Sequence, residues 1–141
     1  MNKTKSRENL VGRRAELMAQ LFLEDLEPAF LADTAQEFEF DFLVGFTNPQ
    51  GGINLTAVEV KSTDQPVVPG HFSILRRLYY RWAHSNIPIL LLVIDVKQNR
   101  VYFAWPTQDG SNGSTATNTI SIRLTEIDEK NKSELREKLA G

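Results

Sequence analysis

Between residues 38 and 46 apolar and polar side chains alternate without a break. Phe38, Phe40, Phe42, Val44 and Phe46 share one parity, and Glu37, Glu39, Asp41 and Leu43 share the other. A period of two is the signature of a strand with one buried face. Asn48-Pro49-Gln50-Gly51-Gly52 is a dense turn cluster, and Ile53 to Lys61 reads as a second strand, so the pair predicts a β-hairpin with a longer loop. Upstream, Ser6 to Leu26 reads as a helix. Leu10, Leu17 and Leu21, joined loosely by Phe22 and Leu26, recur at helical spacing, with Arg13, Arg14 and Gln20 turned elsewhere. Gly12 disfavours that helix by about 1 kcal/mol relative to Ala, which implies close packing or a later start. Pro28 ends it, and Ala29 to Ala32 has the apolar brevity of an edge strand.

Downstream, Pro66, Pro69 and Gly70 mark an irregular connection. Phe72 to Ser85 predicts a second helix, with Phe72, Leu75, Leu78, Tyr79 and Trp82 on one side and Arg76, Arg77, Tyr80, Arg81 and His84 on the rest. Pro88 to Val96 is apolar apart from Asp95, as expected of a strand covered on both faces. Arg100 to Trp105 and Thr119 to Leu124 predict further strands, separated by a polar loop from Gln108 to Asn118. Ser133 is placed to cap a final helix ending at Leu139. The expected order is α-β-β-β-α-β-β-β-α, a single mixed α/β domain over residues 1–141 without internal repeats.

Composition narrows the function. The 141 residues are 41% hydrophobic, enough for a substantial core. No stretch approaches the ~18 apolar residues that cross a bilayer, and the charged amino terminus lacks a secretory pattern. The absence of cysteine excludes disulfides, thiolate zinc sites and cysteine nucleophiles, and fits a cytoplasmic protein. His71 and His84 lack ligand spacing. The formal net charge of -2 weighs mildly against a dedicated nucleic-acid binder, although a cleft can be locally basic on a neutral protein.

The hairpin concentrates the polar chemistry. With the loop centred near Gln50, residues whose numbers sum to about 100 face each other, which sets Asp41 opposite Glu59. Asp41, Glu59 and Lys61 then emerge on the odd-numbered face, while Val58, Val60 and the phenylalanines line the even one. A register slip of two would pair Glu39 with Glu59 and keep the shared face, leaving Glu39 as a reserve ligand. Mg²⁺ and Mn²⁺ take hard oxygen ligands, typically one or two carboxylates with waters and a substrate phosphate. Lysine two positions after a carboxylate can orient the attacking water or hold the phosphate, and the Val60 carbonyl is available as a further ligand. Glu-x-Lys alone is equally the pattern of a solvated salt link on a strand, and Asp41 equally suits an amphipathic edge strand. A surface Glu16 paired with Arg13 or Gln20 would be as ordinary.

Asp41, followed 18 residues later by Glu59-Val60-Lys61, resembles the signature of the PD-(D/E)XK nuclease superfamily. Gly12-Arg13-Arg14-Ala15-Glu16 is similar to the Gly-x-x-x-Glu of that superfamily's first helix. The set Glu16, Asp41, Glu59 and Lys61 resembles that of archaeal Holliday-junction resolvases. Val58 to Thr63, Tyr79 to Trp82 and Pro88 to Asp95 resemble segments of a bacterial branch of small stand-alone domains. The likeness covers roughly Val11 to Trp105. It departs at Phe40, where the superfamily motif has Pro, and carries the acid Glu59 where many of that branch have Gln.

The resemblance implies a restriction-endonuclease-like core and a Mg²⁺- or Mn²⁺-dependent endonuclease acting on DNA, in repair, restriction or defence. Asp41, Glu59 and the Val60 carbonyl would hold metal, Lys61 would position the nucleophile, and Glu16 would assist. Arg76, Arg77 and Arg81 would meet phosphates and Tyr80 would stack on a base; a solvated helix face is the alternative. A core this small often takes specificity from a partner, so a homodimer is among the expectations. The competing expectations are an inactive nuclease fold that binds nucleic acid or protein, and a structural subunit.

Overall fold

The alternation that predicts a hairpin produces one. The computed structural model describes residues 3–34, 40–65, 67, 70–111 and 118–141; Glu37, Phe38, Glu39, Pro66 and Pro69 lie outside these. β2 (Phe42–Thr47) runs antiparallel to β3 (Ile53–Thr63), and their partners, from Phe42 with Val58 to Thr47 with Ile53, sum to 100 throughout. Asn48 builds the turn. Its Oδ1 accepts from the N–H groups of Gln50 and Gly52 at 3.0 and 2.9 Å, and Gly51 takes φ +86°, a left-handed conformation that costs glycine little.

The hairpin supplies two strands of a six-stranded mixed sheet. β1 (Phe30–Asp33) pairs along the outer edge of β2, as an edge strand should. β5 (Ile89–Asp95) lies parallel to β3 and is buried at every position, in keeping with its unbroken apolar sequence. β6 (Arg100–Ala104) and β9 (Thr125–Glu126) complete the order β1-β2-β3-β5-β6-β9. On the even face, α1 (Lys3–Asp25) and α4 (Glu129–Ala140) cover Phe42, Val44, Phe46, Val58, Leu90 and Leu92. On the other face, Ala57, Leu91 and Val93 lie beneath α2 (Arg76–Ala83) and a small sheet. That sheet has the order β4-β8-β7, from β4 (His71–Leu75), β8 (Thr119–Arg123) and β7 (Gly110–Ser111). The short α3 (Pro106–Asp109) precedes β7. The fold is therefore mixed α/β, with a mixed sheet flanked by helices. Among the described residues no helix is long and apolar enough to cross a membrane.

Several expectations are corrected. Phe72 to Leu75 is strand rather than helix: Phe72 and Ile74 pair with Ile122 and Ile120 of β8, contacts distant in sequence that outweigh local helical spacing. The leading order is thus α-β-β-β-β-α-β. The polar stretch from Gln108 includes the end of α3 and β7. α4 begins earlier than Ser133 predicts. Asp128 caps it, accepting from the Asn131 N–H while Asn131 Oδ1 accepts from the Asp128 N–H. In α1, Gly12 is a helix-interior residue with nothing within 4 Å of a Cβ placed on it, so neither close packing nor a late start explains it. Leu10, Leu17 and Leu21 face solvent, whereas Ala15, Ala19, Leu23 and Leu26 are buried. The small Ala15 and Ala19 let the helix backbone approach β3 and β5, which places the leucine stripe outward.

Candidate functional site

Regular pairing of the hairpin ends at Phe42, and Asp41 continues it by other means. Its N–H donates to the Val58 carbonyl at 2.9 Å, and its Oδ2 accepts from the Val60 N–H at 2.8 Å. The carboxylate takes the position that a ladder carbonyl would otherwise hold. Thr34, only 8% exposed, fixes the adjoining backbone. Its N–H donates to the Asp41 carbonyl at 3.1 Å, and its hydroxyl reaches the carbonyls of Phe40 and Asp41. The Ala57 N–H donates to Pro88, so odd residues of β3 direct their backbone groups toward β5. Val60, one step out of phase, directs its carbonyl toward the Asp41 side.

Glu59 stands beside Asp41, as the shared parity predicts. Its side chain is 12% exposed, and Lys61 Nζ lies 3.4 Å from Glu59 Oε1. The two carboxyl groups are within hydrogen-bond reach of each other. Burial, followed by the neighbouring Asp41 charge, pushes the Glu59 carboxyl up to about 7, with Lys61 only partly opposing. Glu16 on α1 belongs to the same field: burial, then Asp41, then Asp33 raise its carboxyl above the ordinary value. Asp33, outside the expected site, lies one residue past the edge strand expected over Ala29 to Ala32 and partners Phe42 next to Asp41.

This donor set suits a hard divalent cation. Two carboxylates in mutual reach repel unless a proton or cation lies between them, and this repulsion adds to the effect of burial in raising the Glu59 carboxyl. With the Val60 carbonyl they provide three protein oxygens of the kind Mg²⁺ or Mn²⁺ accepts. Among the described residues no three His, Asp or Glu side chains converge to hold an ion, so Glu16 stands as an electrostatic neighbour of the pair.

The other expected residues occupy α2. Arg77, Tyr80 and Arg81 are exposed and Arg76 is half-buried, its N–H donating to the Asn118 carbonyl at 2.7 Å. Tyr79 and Tyr80 meet edge-to-face at 6.0 Å between ring centres. α2 rests chiefly on α3, β4 and β8, so these side chains stand on a different element from the carboxylates. Another acid absent from the expected site is Asp95, 1% exposed at the end of β5 beside Thr63. Its Oδ1 accepts from the N–H groups of Lys97 and Gln98 at 3.0 and 2.9 Å, which shapes the turn into β6. The chain matches no protein-family model and has no match among curated proteins.

Proposed function

We propose that the chain is a Mg²⁺- or Mn²⁺-dependent nuclease that hydrolyses DNA phosphodiester bonds, with its site at Asp41, Glu59 and Lys61. The observation that carries this reading is the apposition of Asp41 and Glu59 on one side of the hairpin, with Lys61 ion-paired to Glu59. A bound divalent cation polarises the phosphoryl group and acidifies water. Asp41 is pre-oriented for such an ion because the Val60 N–H and Thr34 hold its side chain and backbone. Glu59 would provide the second carboxylate, and a cation held there would favour its ionised form. Lys61, 36% exposed, can turn its ammonium from Glu59 to the water or the phosphate. Glu16 adds negative charge next to Asp41, and Arg76, Arg77, Arg81 and Tyr80 are the candidates for holding the strand. DNA as the polymer, and a role in repair, restriction or defence, come from the resemblance of Asp41 and Glu59-Val60-Lys61 to the PD-(D/E)XK signature.

Cleavage of linear, circular and branched DNA tests this, with wild type, Asp41→Ala and Lys61→Ala assayed in Mg²⁺, Mn²⁺ and EDTA. The expected result is metal-dependent cutting by wild type and loss of about 100-fold or more in either variant. Cutting that persists in both variants overturns the site. The second reading, an inactive nuclease fold that binds nucleic acid or protein, draws on the net charge of -2 and on a side-chain donor set limited, among the described residues, to two carboxylates. It predicts no cutting and no metal uptake.

A further inference from the structure

α1 carries a line of leucines on its outward side. Leu10, Leu17 and Leu21 are 66%, 56% and 67% exposed. With 3.6 residues per turn they fall on one line of the helix, directly opposite the buried Ala19. Three leucines centred on the outward face of one helix form a stripe, unlike the scattered apolar residues normal on a surface. Core packing does not account for them, because Ala15, Ala19, Leu23 and Leu26 already fill the inward face.

The charges flanking the stripe specify what covers it. Helical phase places Arg14 and Asp25 along one side of the leucines, and Arg13 and Glu24 along the other. All four side chains are exposed. Each flank is basic toward the amino end of the helix and acidic toward its carboxyl end. A second α1 laid antiparallel, with Leu17 of one copy against Leu21 of the other, brings Arg14 beside Asp25 of the second copy and Arg13 beside Glu24 of the second copy. Both flanks are satisfied by the same two-fold axis, which also repeats the leucine contact. A parallel arrangement would set arginine against arginine and acid against acid. Within one chain, Arg14 Nη2 donates to Asn99 Oδ1 at 2.9 Å, and Asp25 meets Lys132; both contacts hold these side chains at the rim of the stripe.

We infer that the outer face of α1 is a homodimer interface, closed by antiparallel packing of Leu17 and Leu21 between Arg13–Glu24 and Arg14–Asp25 pairs. The contact is one helix wide, narrower than a standard stable interface of ~800 Å² per partner, so the association is expected to be weak and concentration-dependent. This inference is independent of the chemistry assigned to Asp41 and Glu59.

Sedimentation equilibrium over a concentration series, at low and high salt, tests it. The wild-type chain is expected to pass from monomer to dimer as concentration rises, with weaker association at high salt. Leu17→Glu with Leu21→Glu abolishes the dimer while the circular dichroism spectrum and the cooperative melt persist, because neither residue is buried. Glu24→Arg raises the dissociation constant about tenfold or more, and Arg13→Glu combined with Glu24→Arg restores it toward wild type. A chain that stays monomeric at every concentration overturns the inference, as does a dimer indifferent to the double leucine substitution. Failure of the charge swap to rescue overturns the antiparallel arrangement.

Discussion

Replacing Glu59 with Gln keeps the shape of a side chain that is 12% exposed and removes one of two adjacent charges. In the native chain its carboxyl is pushed from 4.5 up to about 7 by burial and by Asp41. Between pH 4.5 and 7 the unfolded chain therefore releases a proton that the folded chain retains. With more protons bound in the folded state, stability falls as pH rises through this window and stays lower above it. A shift of 2.5 pH units at ~1.36 kcal/mol per unit corresponds to roughly 3 kcal/mol by pH 8. Glu59→Gln carries no such penalty. Relative to wild type it should be near neutral at pH 4.5 and more stable by about 2–3 kcal/mol at pH 8. At ~2–4 °C per kcal/mol for chains near this size, that is a gain of roughly 4–12 °C in the melting midpoint. Urea or thermal melts of both proteins in EDTA, taken at intervals from pH 4.5 to 8, measure the difference directly. Parallel stability curves across this range would refute the assignment of a raised, Asp41-coupled carboxyl to Glu59.

Two further substitutions probe the scaffold. Gly12→Ala places a methyl where nothing lies within 4 Å, in the middle of α1; it should stabilise the fold by about 1 kcal/mol in a denaturant melt, and destabilisation would mean that the glycine is needed for packing. Thr34→Val removes the hydroxyl that bonds the Phe40 and Asp41 carbonyls; a loss of about 1–2 kcal/mol is expected, together with weaker Mn²⁺ binding in calorimetry, and unchanged metal affinity would separate Thr34 from the positioning of Asp41.

Where the sequence is legible, local chemistry decides the structure. Strict alternation before Asn48 and the Gly51-Gly52 turn specify both register and parity, and these bring Glu59 beside Asp41. β5 is equally plain, because seven buried positions in a row leave no polar face to misassign. The departures occur where two readings have the same period or where the deciding partner is remote. In α1, the leucine stripe and the alanine-rich stripe both repeat helically, and only the approach to β3 and β5 selects the second. Phe72 and Leu75 have helical spacing, yet Phe72 and Ile74 alternate as well, and β8, some 45 residues later, resolves the ambiguity. Asp33 entered the acidic neighbourhood through the pairing of β1 with β2, which a short apolar run does not disclose.

The central claim is that Asp41 and Glu59 together hold a divalent cation for phosphodiester hydrolysis. Calorimetric titration of the metal-free protein with Mn²⁺ at pH 6, run in two buffers of different ionisation enthalpy, measures the ion and the proton together. The account predicts saturable binding accompanied by proton release, because the ion displaces the proton that Glu59 retains. It also predicts loss of that binding in Asp41→Ala and loss of the proton release in Glu59→Gln. Absence of binding, or binding that survives Asp41→Ala unchanged, would contradict it.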